Sequence, residues 1–79
     1  MDREIDKLLD NLCVKLGFCL PSKEKQRIAS IGQWDADDFA KEVIAAEGLY
    51  PEYEVKWRRQ IRDEFIECLG SNTYESTNS

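Results

Sequence analysis

The chain has no histidine among its 79 residues. That absence removes both the commonest general base and the commonest metal ligand. No apolar run approaches the ~20 residues a membrane-spanning helix needs. The first residues, Met1-Asp2-Arg3-Glu4, are mixed in sign, and no apolar stretch follows them as a signal peptide would require. No strand-like alternation, internal repeat or long linker stands out. The three cysteines, Cys13, Cys19 and Cys68, are an odd number, whereas disulfide-stapled secreted domains usually carry an even set. These absences lead to the expectation of a cytoplasmic protein with three reduced thiols, no cofactor and no bound metal.

What is present describes one small folded unit. Hydrophobic residues make up 42% of the chain and charged residues 34%, which suits a globular domain and not a disordered one. A chain of this length buries only ~60% of its unfolded surface, enough for one core but not for a large preformed substrate pocket. The apolar spacing is helical almost throughout. Ile5, Leu8, Leu9, Leu12, Cys13 and Leu16 recur at offsets of three and four, predicting a helix over 3–16 with Asp2 as cap and Gly17 as left-handed stop. Phe18 would then fold back onto the last turn. Ser22 is placed to cap a short helix over 23–30, with Ile28 and Ile31 facing inward and Gly32 ending it.

Asp35 marks the start of a third helix, over 36–47. Trp34 before the cap and Phe39 in the fourth helical position can form a hydrophobic staple, and Gly48 stops the helix. Pro51 fits the first position of a fourth helix, over 52–69, with Trp57, Ile61, Phe65, Cys68 and Leu69 as its inner stripe. Glu54 with Arg58 and Arg59 with Asp63 are opposite charges four apart. The fold expected is all-α, a compact bundle of about four short helices. Residues 1–70 would form the domain and 71–79 a polar, disordered C-terminal tail. Trp34, Phe39, Trp57 and Phe65 would form the centre of the core.

The net charge of −5 is unevenly spread. Residues 1–32 carry five acids and six bases, 33–54 carry seven acids and one base, and 55–79 carry four of each. The acidic excess therefore belongs to the third helix and the turn after it. It can attract a basic protein partner, or present carboxylates where nucleic-acid phosphates would lie. It can equally be helix capping and a solvated face. A protein-binding face would comprise Asp35, Asp37, Asp38, Glu42, Glu47, Tyr50, Glu52 and Tyr53. The tyrosines suit it because each joins an apolar body to a polar tip.

The alternative face is the basic cluster Lys56, Arg58, Arg59 and Arg62 beside Trp57, which could contact phosphates. Acids on the same helix and a pI of about 4.6 oppose this. A helix-turn-helix reading of residues 23–47 fails similarly, since its recognition helix would open on Asp35-Ala36-Asp37-Asp38. Cys13 and Cys19 do not form a CxxC pair, and Cys13 and Cys68 read as small core hydrophobes. A thiol-based redox or metal function of Cys13 and Cys19 is the third possibility. Asp37 and Asp38 lack both the spacing of a calcium loop and the burial a catalytic carboxylate pair needs. No catalytic residue is assigned.

Two segments, Leu12-Cys13-Val14-Lys15-Leu16-Gly17-Phe18-Cys19-Leu20-Pro21 and Ala46-Glu47-Gly48-Leu49-Tyr50-Pro51, together with Arg59-Gln60-Ile61-Arg62, resemble a group of small bacterial helical proteins of about this length. The resemblance spans residues 5–69 and carries no known chemistry. It implies a bacterial cytosolic protein and no active site. The reading at this point is a non-enzymatic regulatory or inhibitory module that binds a protein partner. A nucleic-acid-associated regulator is the alternative, and a homodimer is compatible with either.

Overall fold

The computed structural model describes residues 3–75. Its elements, in chain order, are α1 (Arg3–Leu16), α2 (Ser22–Ala29), β1 (Gln33–Asp35), α3 (Ala36–Ala46), α4 (Val55–Leu69) and β2 (Thr73–Glu75). The helical class is as expected, but the fold is not purely α, because β1 and β2 pair.

Helix α1 has the bounds its periodicity predicts, and buries Ile5, Leu8, Leu9 and Leu12 along one stripe. Its end is set by Gly17, whose φ of +80° places it in the left-handed region. The Gly17 N–H donates to the Cys13 carbonyl at 3.1 Å and the Phe18 N–H to Leu12 at 3.2 Å. Nothing crowds the space where a Cβ would stand, so the backbone angle alone favours glycine. Phe18 then returns to the core, 7% exposed.

The reversal at Gly17 also overturns one expectation. Cys13 and Cys19 are joined by a disulfide, their Cα atoms 4.2 Å apart, leaving Cys68 as the free thiol. The left-handed turn carries residue 19 back over the last turn of the helix, which a six-residue spacing does not reveal. The cysteine count therefore no longer argues for a reducing compartment.

Helix α3 begins as its sequence signals predict. Asp35 is extended (φ −98°, ψ 144°) and its Oδ2 accepts from the Asp37 N–H at 3.3 Å. Trp34 and Phe39 meet edge to face with ring centres 5.6 Å apart, forming the staple. Ala36, Phe39, Ala40, Val43 and Ile44 are buried. At the far end Gly48 (φ +84°) donates to Ala45 at 3.0 Å and Leu49 to Ile44 at 3.1 Å, a Schellman motif.

The strand pair closes the fold. Gln33, Trp34 and Asp35 oppose Glu75, Tyr74 and Thr73, antiparallel, with Trp34 facing Tyr74. Both strands alternate exposed, half-buried, exposed, so Trp34 and Tyr74 lie on the inner face. The Ala36 N–H donates to the Asn72 carbonyl at 2.7 Å, and the Gln33 and Glu75 side chains are bonded across the pair. The segment expected to be a disordered tail is thus a strand from Thr73 to Glu75. Residues 76–79 of that expectation, and Asp2 as helix cap, lie outside the described residues.

Other local expectations are corrected. Helix α4 starts at Val55 and not at 52: Pro51 sits in a turn in which Tyr53 and Glu54 both donate to the Tyr50 carbonyl, at 2.9 and 3.1 Å. Ser22 lies inside α2, whose cap is Pro21, with the Pro21 carbonyl accepting from Lys25 at 3.0 Å. Ile31 is 38% exposed because the chain turns outward after Ala29. Trp34 and Trp57 pack against the core's edge, while Phe39 and Phe65 occupy its centre. The pairs Glu54–Arg58 and Arg59–Asp63 do not form among the described residues. Pairs between helices form instead, Lys15 with Glu64, Lys25 with Asp10 and Arg27 with Glu42, while Arg27 also holds Glu24 within α2.

The core is wholly apolar among the described residues, with α3 packed chiefly on α4, and α1 on both α2 and α4. The disulfide closes a seven-residue loop, counted inclusively from Cys13 to Cys19, and loop entropy assigns it about 2 kcal/mol. Reduction should therefore lower the thermal midpoint by on the order of 10 °C. Unfolding with and without reductant checks this; an unchanged midpoint would mean the two thiols contribute nothing as a pair.

Candidate functional site

The residues first singled out for binding do not form one face. Asp35 is committed to capping α3. Glu42 is bound by Arg27 at 2.6 Å. Asp38 borders a groove of about 420 Å³ along the strand pair, beside Trp34 and Tyr74. Asp37 lines a different groove, of about 220 Å³, with Val55, Arg58, Arg59 and Arg62. The acidic stretch of α3 is therefore divided by helix geometry between capping, ion pairing and two separate depressions. Glu47, Tyr50, Glu52 and Tyr53 remain together at the α3–α4 connection.

That connection is apolar as well as acidic. Tyr50 is 67% exposed and Tyr53 80%, with their rings edge to face and 6.1 Å between centres. Leu49 and Val55 flank them, both exposed. Neither was singled out for binding from the sequence. The signal for Leu49 was its place directly after a helix-stopping glycine, where an apolar residue commonly folds against its own helix; here it does so only in part.

Next to this turn is a cleft of about 360 Å³ lined by Leu16, Gly17, Phe18, Glu47, Leu49 and Trp57. The glycine-terminated ends of α1 and α3 build it from opposite sides. Gly17 turns the chain so that Phe18 meets Trp57 at 5.1 Å between ring centres and an interplanar angle of 74°. Gly48 turns the chain after α3 so that Glu47 and Leu49 form the other wall. The two segments distinctive in the sequence, 12–21 and 46–51, thus meet at this cleft.

Glu47 is the unusual group in it. It is the C-cap of α3, its N–H donating to Val43 and Ile44 at 3.2 Å. A carboxylate there faces the negative end of the helix dipole. Its Oε1 is covered and accepts no hydrogen bond, the one such side-chain oxygen or nitrogen among the described residues. The half-buried Glu24, Glu42 and Glu64, by contrast, each hold a cation from the chain. Those pairs also act on the cations: hydrogen bonding to Glu64 raises the Lys15 pKa, and bonding to Asp10 raises that of Lys25.

The basic cluster is partly assembled. Arg58, Arg59 and Arg62 share the groove with Asp37, while Lys56 is exposed and does not line it. The arginines form no ion pair among the described residues. No three His, Cys, Asp or Glu side chains among the described residues are grouped so as to hold a metal ion. No described helix is long and apolar enough to cross a membrane. The chain matches no family model, no curated protein and no solved structure.

A carboxylate at a helix C-terminus is opposed by the helix dipole. Replacing Glu47 by Gln should leave the fold intact and raise stability by about 0.3–1 kcal/mol. The urea midpoint reads this directly; a clear loss of stability would show that the carboxylate has a favourable partner in the folded chain.

Proposed function

We propose that the protein is a non-enzymatic protein-binding module whose contact face is the α3–α4 connection, from Glu47 to Val55. One observation carries the reading. Of the six large hydrophobic side chains exposed among the described residues, four (Leu49, Tyr50, Tyr53 and Val55) fall within seven consecutive positions. Isolated exposed apolar residues need no explanation, but a contiguous group is a recognised mark of an interaction site.

The turn is also ordered before any partner arrives. The Tyr50 carbonyl accepts from both Tyr53 and Glu54, and Arg58 donates to Glu54 at 2.9 Å, so the turn is fastened to the first turn of α4. A preorganised aromatic pair loses little conformational freedom on binding. Glu47, Glu52 and Glu54 surround the pair with negative charge, which favours a basic surface on the partner and speeds encounter with it. The cleft beside the turn is lined by one carboxylate, Glu47, among aromatic and aliphatic walls. That composition suits recognition and not turnover. A basic protein partner, regulatory or inhibitory control of it, and a bacterial cytoplasmic setting all belong to this proposal. A second copy of the chain is one partner the test below can reveal.

The nucleic-acid reading keeps one supporting observation, Arg58, Arg59 and Arg62 in a common groove with no ion pair among the described residues. Asp37 in the same groove repels a phosphate backbone, which ranks this reading second.

Two experiments separate these readings. A photo-crosslinking residue at position 53 should yield a specific adduct in cells, and one at position 38 should not. Tyr50→Ala with Tyr53→Ala should abolish the adduct formed from a crosslinker at Leu49, with affinity falling about 30-fold or more and the thermal midpoint barely moved. Adducts from position 38 alone would reject the assigned face. For the second reading, Arg58→Ala with Arg59→Ala should remove low-salt retention on a DNA or RNA column, and absence of retention by the unmodified protein would eliminate it.

A further inference from the structure

We infer that the cleft between Phe18, Trp57 and Glu47 is a seat for one arginine side chain of the partner, with the Glu47 carboxylate as its counter-charge. The inference rests on the α3–α4 connection being the contact face and names the chemistry that face recognises.

Three independent features converge on a guanidinium. The first is charge. Glu47 stands at the end of α3 where a cation would be favoured and an anion is not, and nothing in the described chain neutralises it. A guanidinium seated in the cleft would bring to the end of α3 the sign of charge that the helix dipole prefers there, beside the Glu47 that lines it. The second is the wall chemistry. Phe18 and Trp57 give the cleft an aromatic side, and a guanidinium is planar, weakly hydrated and suited to aromatic surfaces. A lysine ammonium is more strongly hydrated, so it loses more on entering the same place. The third is the form of the cleft. Leu16 and Leu49 give it an aliphatic border, which matches the methylene stem behind an arginine head.

The position of the seat fits the surrounding face. Glu47 and Leu49 border both the cleft and the exposed tyrosine turn, so a single partner segment can place an arginine in the cleft and apolar groups against Tyr50 and Tyr53. The charge of the region agrees: residues 33–54 hold seven acids and one base. Lys15 and Arg27 are engaged elsewhere, Lys15 with Glu64 and Arg27 with Glu24 and Glu42.

The test uses the whole chain, ¹⁵N-labelled, and three five-residue peptides, acetyl-Gly-Leu-X-Leu-Gly-amide, where X is arginine, lysine or citrulline. Citrulline keeps the shape of arginine without its charge. The arginine peptide should shift the Trp57 indole N–H and the Gly17 and Phe18 amides. The citrulline peptide should bind at least tenfold more weakly, and lysine should fall between them. Glu47→Gln should reduce arginine binding to the citrulline level while the spectrum stays that of a folded protein. Leu49→Lys, which brings an intramolecular cation to the cleft, should block the arginine peptide by a different route. Equal binding of arginine and citrulline, or shifts centred on Asp37 and Asp38 that survive Glu47→Gln, would overturn the inference. Failure of the two proposals is separable. If crosslinking from position 49 depends on the tyrosines but not on Glu47, the face stands and the arginine seat falls. If the arginine peptide occupies the cleft while the tyrosine variants leave crosslinking intact, the seat stands and the face falls.

Discussion

The ring of Phe39 is closed off from solvent between two other aromatic rings, Trp34 at 5.6 Å on one side and Phe65 at 5.2 Å on the other. This row of rings links β1, α3 and α4, and the other elements are arranged around it. Trp34 reaches further by donating its indole N–H to the Ile28 carbonyl at 3.2 Å, which ties the end of α2 to the same row. It also faces Tyr74 across the strand pair, which brings the segment after α4 back to the start of α3. In a domain this small there is no second core to compensate for a defect. Removal of the Phe39 ring would empty the place where most of the elements meet.

Around that centre the ends of the helices carry as much meaning as their lengths. Two glycine-terminated ends, after α1 and α3, direct Phe18 and Leu49 to opposite walls of one cleft. The disulfide holds the first of these turns in place, and the Tyr50 carbonyl fastens the chain after the second. Rigid turns can hold a strained or unfavourable residue that a flexible loop would let escape to water. Glu47 is such a residue, a carboxylate at the wrong end of a helix dipole and partly covered. Violations of local rules of this kind concentrate at sites where binding, and not folding, sets the requirement.

Charge is organised by tertiary contacts more than by the helix surfaces on which it is written. The four-apart pairs legible along α4 do not form, while ion pairs between helices do. Lys15 reaches from α1 to α4, Lys25 from α2 to α1 and Arg27 from α2 to α3. These pairs are at the surface, so they fix relative placement more than they add stability. Their larger consequence is subtraction. Arg27 neutralises one acid of α3, Glu42, which leaves Asp37 and Asp38 at the start of that helix and Glu47 at its end without an ion pair among the described residues.

The sequence by itself determined the four helices, the left-handed stops at Gly17 and Gly48, the Asp35 cap and the Trp34–Phe39 staple. Each of these is decided within a few residues, by spacing, capping chemistry and backbone conformation. The tertiary structure decided the rest. Three-residue strands are too short to show a period, and β1 finds β2 only after α3 and α4 have brought Thr73–Glu75 alongside. Whether Cys13 and Cys19 bond depends on the direction of a turn, and whether Glu42 or Glu47 is free depends on which cation another helix delivers. Tyr50, Tyr53 and Glu47 could be marked in the sequence as candidates. That they adjoin a cleft built from the end of α1 and the start of α4 could not, because its walls are tens of residues apart in the chain and meet only when the core has formed.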